Sequence, residues 1–441
     1  MGRPIVIWVF ICCASASAFS QARPLPGPDV QQIYQRLLLQ IEKIPMFDHH
    51  AHPGFFDDPD VDAMAAPPSN LPLRERDDNP ELVAAAKALF GYPYNDLAPE
   101  HAKWLAEKKA ELKKQRGNQY FSDILDKLNI EQGVANRAMM ADYLDPKRFV
   151  WVFFVDSFMW PFDNRQETAR NGDEQVYIPL QEKMLRRWMQ QENVSKLPDK
   201  FDGYLDFIAR VLLDNQKKGG IAMKFEVAYF RPTKFSDPPR QQAEDIYQRF
   251  VSGGIASEKE YRTFQDYIFR YLVTLGGRLG IPVHIHSAVG VGDYFNLSES
   301  NIMNLEDILR DPRYSSTTFV MIHGGFPYDR LAIWLAAEKN VYLDSSETEM
   351  LTYPAEFKNV LRRWLETFPE KITFGTDCFP YNEILGAEES YWLGVQTTRT
   401  ALAAALAEMV SEGEVSEAKA LQMARGYLHD NAVGIYGGKV H

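Results

Sequence analysis

Eight short apolar runs, separated by helical patterns and turns, constrain this chain more than any other feature. They are Met46–His52, Gly133–Met140, Phe149–Val155, Ile221–Tyr229, Pro282–Ser287, Phe319–Gly324, Val341–Ser345 and Ile372–Asp377. A first helix is expected over Val30–Ile44, and amphipathic patterns lie at Tyr204–Lys218, Glu244–Leu279, Leu305–Arg310, Tyr328–Lys339 and Pro354–Thr367. Strands alternating with helices indicate a parallel sheet with helical crossovers. Several of the strands are continuously apolar, which marks strands covered on both faces. Eight of them predict an α/β fold of the (β/α)8 TIM-barrel kind. No Gly-rich phosphate loop follows a strand to favour an open doubly wound sheet. A length of 441 residues suits one such barrel with insertions.

Two crossovers are expanded. Residues 53–132 separate strand one from strand two and hold charged helical pieces, among them Pro99–Arg116. A second long insertion follows strand three. In a barrel, insertions on that side rise over the C-terminal mouth, where active sites lie. Each is therefore a candidate cap or a peripheral decoration.

The strand ends carry the chemistry. Strand one reads Asp48-His49-His50-Ala51-His52, so three of the nine histidines fall in one short stretch. Side chains two apart on a strand share a face. Asp48, His50 and His52 are then expected together, with His49 turned away and structural. Strand five closes on His284-Ile285-His286, strand six on His323-Gly324-Gly325 and strand eight on Thr376-Asp377. One polar group ending one strand could merely satisfy the backbone. Four strands ending in His, His, His and Asp at one barrel mouth are hard to explain that way. His50, His52, His286 and Asp377 supply three nitrogens and a carboxylate to a divalent ion, with a position left for water. Such an ion lowers the pKa of water from 15.7 to roughly 7. Asp377 could also accept the proton of that water, and His323 could polarise a substrate carbonyl or ligate a second ion. Lys224, inside strand four, cannot bind a metal as an ammonium. It either becomes carboxylated and bridges two ions, or stays charged to hold a substrate carboxylate or Glu226.

The series Asp48-x-His50-x-His52, Lys224, His286, His323 and Asp377 resembles, in strand order, the metal motif of the amidohydrolase superfamily. It is most similar to the amidohydrolase-related (amidohydrolase 2) family, which includes aromatic-acid decarboxylases and the nodulin-like domain fused to some glutamine synthetases. Lys224-x-x-x-Ala228-Tyr229-x-Arg231, His323-Gly324-Gly325-Phe326-Pro327-Tyr328, Val341-Tyr342-Leu343-Asp344 and Asn431-Ala432-x-x-x-Tyr436 resemble the nodulin-like branch. The likeness runs from residue 46 to 436, with residues 53–132 unmatched. It implies metal ligands at His50, His52, His286 and Asp377, a catalytic or second-site role for His323, and catalysis by Asp377. It leaves Lys224 open and places Arg231 near the pocket, where it could clamp a carboxylate. Zinc suits these ligands first, with manganese or iron as alternatives, as one or two ions.

The leading expectation is a metal-dependent hydrolase acting on the C–N or C–O bond of a small amide, lactone or ester. The alternatives are a non-oxidative decarboxylase of an aromatic or unsaturated acid, and a barrel that binds metal or ligand without catalysis. A net charge of -12 argues against nucleic acid or an anionic membrane as partner. The partner expected is a small-molecule substrate, with a homo-oligomer as a further option.

Residues 1–22 read as a signal peptide, with Arg3, an apolar run from Ile5 to Ala14, and small residues at Ala16-Ser17-Ala18 or Ser20-Gln21-Ala22. The run is shorter than the ~20 apolar residues that cross a bilayer, so no stable anchor is expected. Residues 23–45 form a leader and first helix, and 46–441 the barrel. Cys378 then remains the single cysteine, so a periplasmic or secreted product has no internal disulfide. N-terminal sequencing of the mature protein is expected to start after Ala18 or Ala22; a start at Met1 refutes cleavage.

Overall fold

The computed structural model describes residues 29–62, 71–170, 172–287 and 296–437. The expected signal peptide lies outside these residues, as does the leader up to residue 28. Eight parallel strands pair in chain order: β1 (Met46–Ala51), β2 (Ile130–Asn136), β3 (Phe149–Phe154), β4 (Gly220–Phe225), β5 (Val283–His286), β6 (Phe319–Ile322), β7 (Val341–Asp344) and β8 (Ile372–Thr373). The backbone beyond β8 closes the ring against β1. His49 N donates to Phe374 O at 2.9 Å, and His50 O accepts from Thr376 N at 3.1 Å and Asp377 N at 2.8 Å. The fold is the expected (β/α)8 barrel.

Alternation along the strands sorts side chains into two layers. Met223, Phe225, Ile285 and Met321 join the large core between sheet and helices. Phe47, Val134, Val152 and Ala222 form a second cluster inside the ring with Ala432 and Tyr436. The helix Asn431–Tyr436 thus plugs the barrel base. Each large apolar side chain buried this way contributes roughly 1.5–3 kcal/mol.

β1 departs from simple alternation. Asp48 pairs with Gly133 and Ala51 with Ala135, so three steps on β1 match two on β2. This is a bulge, and the extra residue flips the facing of everything before it relative to everything after it. The expectation that Asp48 shares a face with His50 and His52 is therefore corrected. Asp48 instead accepts hydrogen bonds from Thr376 N at 3.0 Å and Thr376 Oγ1 at 2.6 Å. His49 is corrected too: it turns into the barrel, stacks on His284 with centroids 4.8 Å apart, and meets Tyr436 Oη at 2.8 Å.

The expected helix over Glu244–Leu279 is two helices, Arg240–Phe250 and Glu258–Leu279. Gly253 and Gly254 adopt positive φ between them, and Ser257 with Glu260 forms a capping box that starts the second. Strand two starts at Ile130 and ends at Asn136, earlier than expected, and β8 is only two residues long.

The first insertion is seated on the barrel. Arg74, buried in the turn Leu73–Glu75, donates to Glu81 at 2.7 Å, to Glu349 O at 2.6 Å and to Thr397 Oγ1 at 2.7 Å. Lys109, on the helix Pro99–Arg116, reaches Glu389 at 2.6 Å. These contacts seat the insertion on the turn after β7 and on the helix Ala387–Ser411.

After β6 the chain turns sharply through His323, Gly324 and Gly325, with φ of 66°, 55° and 72°. A Cβ at Gly324 would overlap the Trp364 ring and approach Asp344 O to 3.0 Å. Gly324→Ala is expected to cost about 3 kcal/mol, from left-handed strain plus overpacking. Urea unfolding checks this, and unchanged stability would refute the packing argument.

Candidate metal centre

Five strands deliver their terminal side chains to one cavity at the C-terminal mouth. β1 brings His50 and His52, β4 brings Lys224 and the following Glu226, β5 brings His286, and the turns after β6 and β8 bring His323 and Asp377. The cavity measures about 90 Å³.

His50, His323 and Asp377 each offer a ligand atom within 4.8 Å of the others. His50 Nε2 lies 3.0 Å from Asp377 Oδ1, and His52 Nε2 lies 3.4 Å from the same oxygen. His286 Nδ1 stands 3.2 Å from His323 Nε2 and 3.2 Å from Glu226 Oε2. The structure thus brings together His50, His52, His286, His323 and Asp377. His323, expected as a catalytic residue or a ligand to a second ion, stands in one group with His50 and Asp377.

Burial governs the charge states. It pushes the His50 and His323 imidazoles well below their ordinary value, with nearby cationic groups adding to the effect. Both rings are therefore neutral, with lone pairs available to a cation. Burial alone would raise Asp377, but His323, His50 and His52 outweigh it and hold the carboxylate well below its usual range. His323 Nδ1 faces Ser346 O at 3.0 Å, which fixes the proton there and leaves Nε2 as an acceptor. His50 Nδ1 and His52 Nδ1 are buried without a hydrogen-bond partner. Converging neutral imidazoles around an ionised carboxylate fit a divalent transition metal.

Lys224 Nζ lies between Glu226, at 2.9 Å, and His50 Nε2, at 3.4 Å. Burial would raise Glu226, yet Lys224 and His286 outweigh it and bring the carboxyl far below its usual value. Of the roles expected for Lys224, the pairing with Glu226 is present in the structure.

Arg231 is a correction. It does not line the cavity. Its guanidinium is buried against Asp266 at 2.6 Å and Gln265 at 3.1 Å, above the Phe235 ring. Those partners consume its donors, so a carboxylate clamp is not available there.

Sequence reasoning missed Asp62, Glu347 and the tyrosines of the cavity wall. Asp62 lies 3.5 Å from His52 Nδ1. Glu347 lies 3.5 Å from His323 Nδ1 and adopts a φ of 64° in the turn after β7. No pattern in Ser345-Ser346-Glu347-Thr348-Glu349 marks which acid turns inward.

Comparison with known proteins agrees with this architecture. Residues 228–438 match the family model described as Amidohydrolase. A curated relative, Protein fluG of Emericella nidulans, is 30% identical over 159 residues, which is 35% of this chain and 17% of that protein. The chain thus spans less than a fifth of that relative. A Lactobacillus casei protein described as a metal-dependent hydrolase superposes with a TM-score of 0.60 at 16% identity, covering 91% of this chain and 97% of its own. Glucuronate isomerase from Caulobacter crescentus gives 0.58 at 12% identity, covering 96% and 99%. Uronate isomerase from Thermotoga maritima gives 0.56 at 11%, covering 93% and 99%. At these identities the solved structures share the fold.

Metal analysis of the purified protein is expected to find at least one divalent ion per chain. The double variant His50→Ala/His323→Ala should lose it while keeping its far-UV dichroism. Failure of the unaltered protein to retain zinc, manganese or iron after reconstitution removes the centre.

Proposed function

Starting from a barrel whose residues 228–438 match the amidohydrolase family model, we propose that this protein is a metal-dependent hydrolase of a small amide, lactone or ester. The observation that carries this reading is the placement of Asp377. Its carboxylate lies 3.0 Å from His50 and 3.4 Å from His52, and it remains ionised despite burial. A divalent ion held by His50, His323 and Asp377, with His52 and His286 at its flanks, would polarise the carbonyl and activate water.

The chain's own residues do the rest. Asp377 takes the proton from the attacking water and returns it to the leaving nitrogen or oxygen. His323, its Nδ1 proton fixed on Ser346 O, presents Nε2 as the atom that would hold the ion. Lys224 and Glu226 pair with each other and position His50 and His286 from the side of β4.

The decarboxylase alternative needs a positive group for the substrate acid. Among the described residues lining the cavity, Lys224 is the single lysine or arginine, and Glu226 already pairs with it. That favours hydrolysis. Zinc is the first choice of ion. Export to the periplasm or medium is part of the proposal and rests on residues 1–22 alone.

Asp377→Asn is expected to lower kcat for amide or ester hydrolysis by about 10²–10⁴-fold, with much of the metal retained. Unchanged turnover would remove Asp377 as the proton carrier. Release of carbon dioxide from hydroxylated aromatic acids, with no lactone, ester or amide hydrolysed, would establish the decarboxylase instead.

A further inference from the structure

The cavity wall beyond the metal centre has a composition of its own. Asp62 and Glu347 add two carboxylates to Asp377 and Glu226, and the rings of Tyr177, Tyr229, Phe379 and Tyr381 complete the surround. Lys224 is the one lysine or arginine among the described lining residues. The internal residues that the structure does not describe, 63–70, 171 and 288–295, contain no lysine or arginine in sequence.

Glu347 is the decisive group. It is 4% exposed, it lines the cavity, and its Oε2 has no hydrogen-bond partner. Its turn is held in place from outside. Met350 N and Leu351 N both donate to Glu347 O at 2.9 Å, and Arg74 of the first insertion donates to the carbonyl of Glu349 at 2.6 Å. A left-handed non-glycine residue so firmly held is characteristic of functional sites. Behind the wall, Glu75 is fully buried with Oε1 3.3 Å from Tyr381 Oη. Asp62, Glu226 and Asp377 line the same cavity, so a cation set against Glu347 faces carboxylates on several sides.

We propose that the substrate is a small organic cation: an amide or ester carrying a protonated amine, whose ammonium rests against Glu347 and the tyrosine rings. Carboxylate and aromatic faces together are the surround that recognises ammonium groups. The far side of the His323 ring faces His286, so Glu347 stands one imidazole width from the reacting centre. The amine and the scissile carbonyl are then only a few bonds apart. This inference rests on the hydrolase reading and adds the substrate class to it.

The test uses zinc-loaded protein and a matched amide set: glycinamide, N-acetylglycinamide and succinamate, followed by ammonia release. Methylammonium, which has no bond to cleave, reports binding alone by calorimetry. Glycinamide is expected to exceed N-acetylglycinamide at least tenfold in kcat/KM, with succinamate slowest. Glu347→Gln and, separately, Asp62→Asn should shrink that ratio and weaken methylammonium binding at least tenfold for Glu347→Gln. Preference for succinamate or N-acetylglycinamide overturns the substrate class and leaves the hydrolase intact. Methylammonium binding that depends on Glu347, with no amide cleaved, retains the cation site and refutes the hydrolase. Two metal ions per chain with no methylammonium binding would assign the carboxylates to a second metal and overturn the proposal.

Discussion

The site depends on how the barrel closes. His50 O accepts hydrogen bonds from both Thr376 N and Asp377 N, so the seam between the first and last strands is also the joint between a metal-competent imidazole and the acid beside it. Asp377 leaves that seam with a φ of 48°, which turns its carboxylate back over the mouth toward His50 and His52. Closing the ring and assembling the centre are one event. A barrel that failed to seal here would lose the Asp377 geometry before it lost much of its core.

The bulge in β1 gives this seam its second function. With simple alternation, His50 and His49 could not both face inward. The extra residue lets His50 enter the mouth while His49 points into the layer beneath it. There His49 meets Tyr436 Oη, which also reaches His284 Nε2 at 3.0 Å. His49 Nδ1 lies 3.3 Å from Asp344 Oδ2. A polar layer therefore separates the metal centre from the apolar plug of Phe47, Val134 and Val152, and it supports the strand that carries two of the imidazoles.

Strand number, order and the convergence of His50, His52, His286, His323 and Asp377 were legible because each rests on a local pattern: an apolar run ending in one polar group. The facing of Asp48 and His49 was not, because a bulge is set by register against the neighbouring strand. Arg231 was misjudged for a related reason. Its partners Asp266 and Gln265 lie on a helix more than thirty residues away, and nothing local shows that they consume its donors. Glu347 carried no signal at all, since a left-handed turn chose it from a run of polar residues. The break in the long helix was visible in principle, in Gly253-Gly254 followed by Ser257-x-x-Glu260, and the apolar periodicity on both sides obscured it.

The helix that plugs the base has a consequence for how the molecule forms. Tyr436 and His49 are 387 residues apart, and Asp48 and Thr376 are 328 apart. Contacts of such sequence separation form late, because the loop entropy must be overcome before they give anything back. During synthesis the first strand, with its cluster of imidazoles, waits for nearly the whole chain to emerge. A growing chain can build the helices of the first insertion and the intermediate strands early, but the ring and its plug come last. Until then it presents unpaired strand edges, and its histidines are open to any metal at hand.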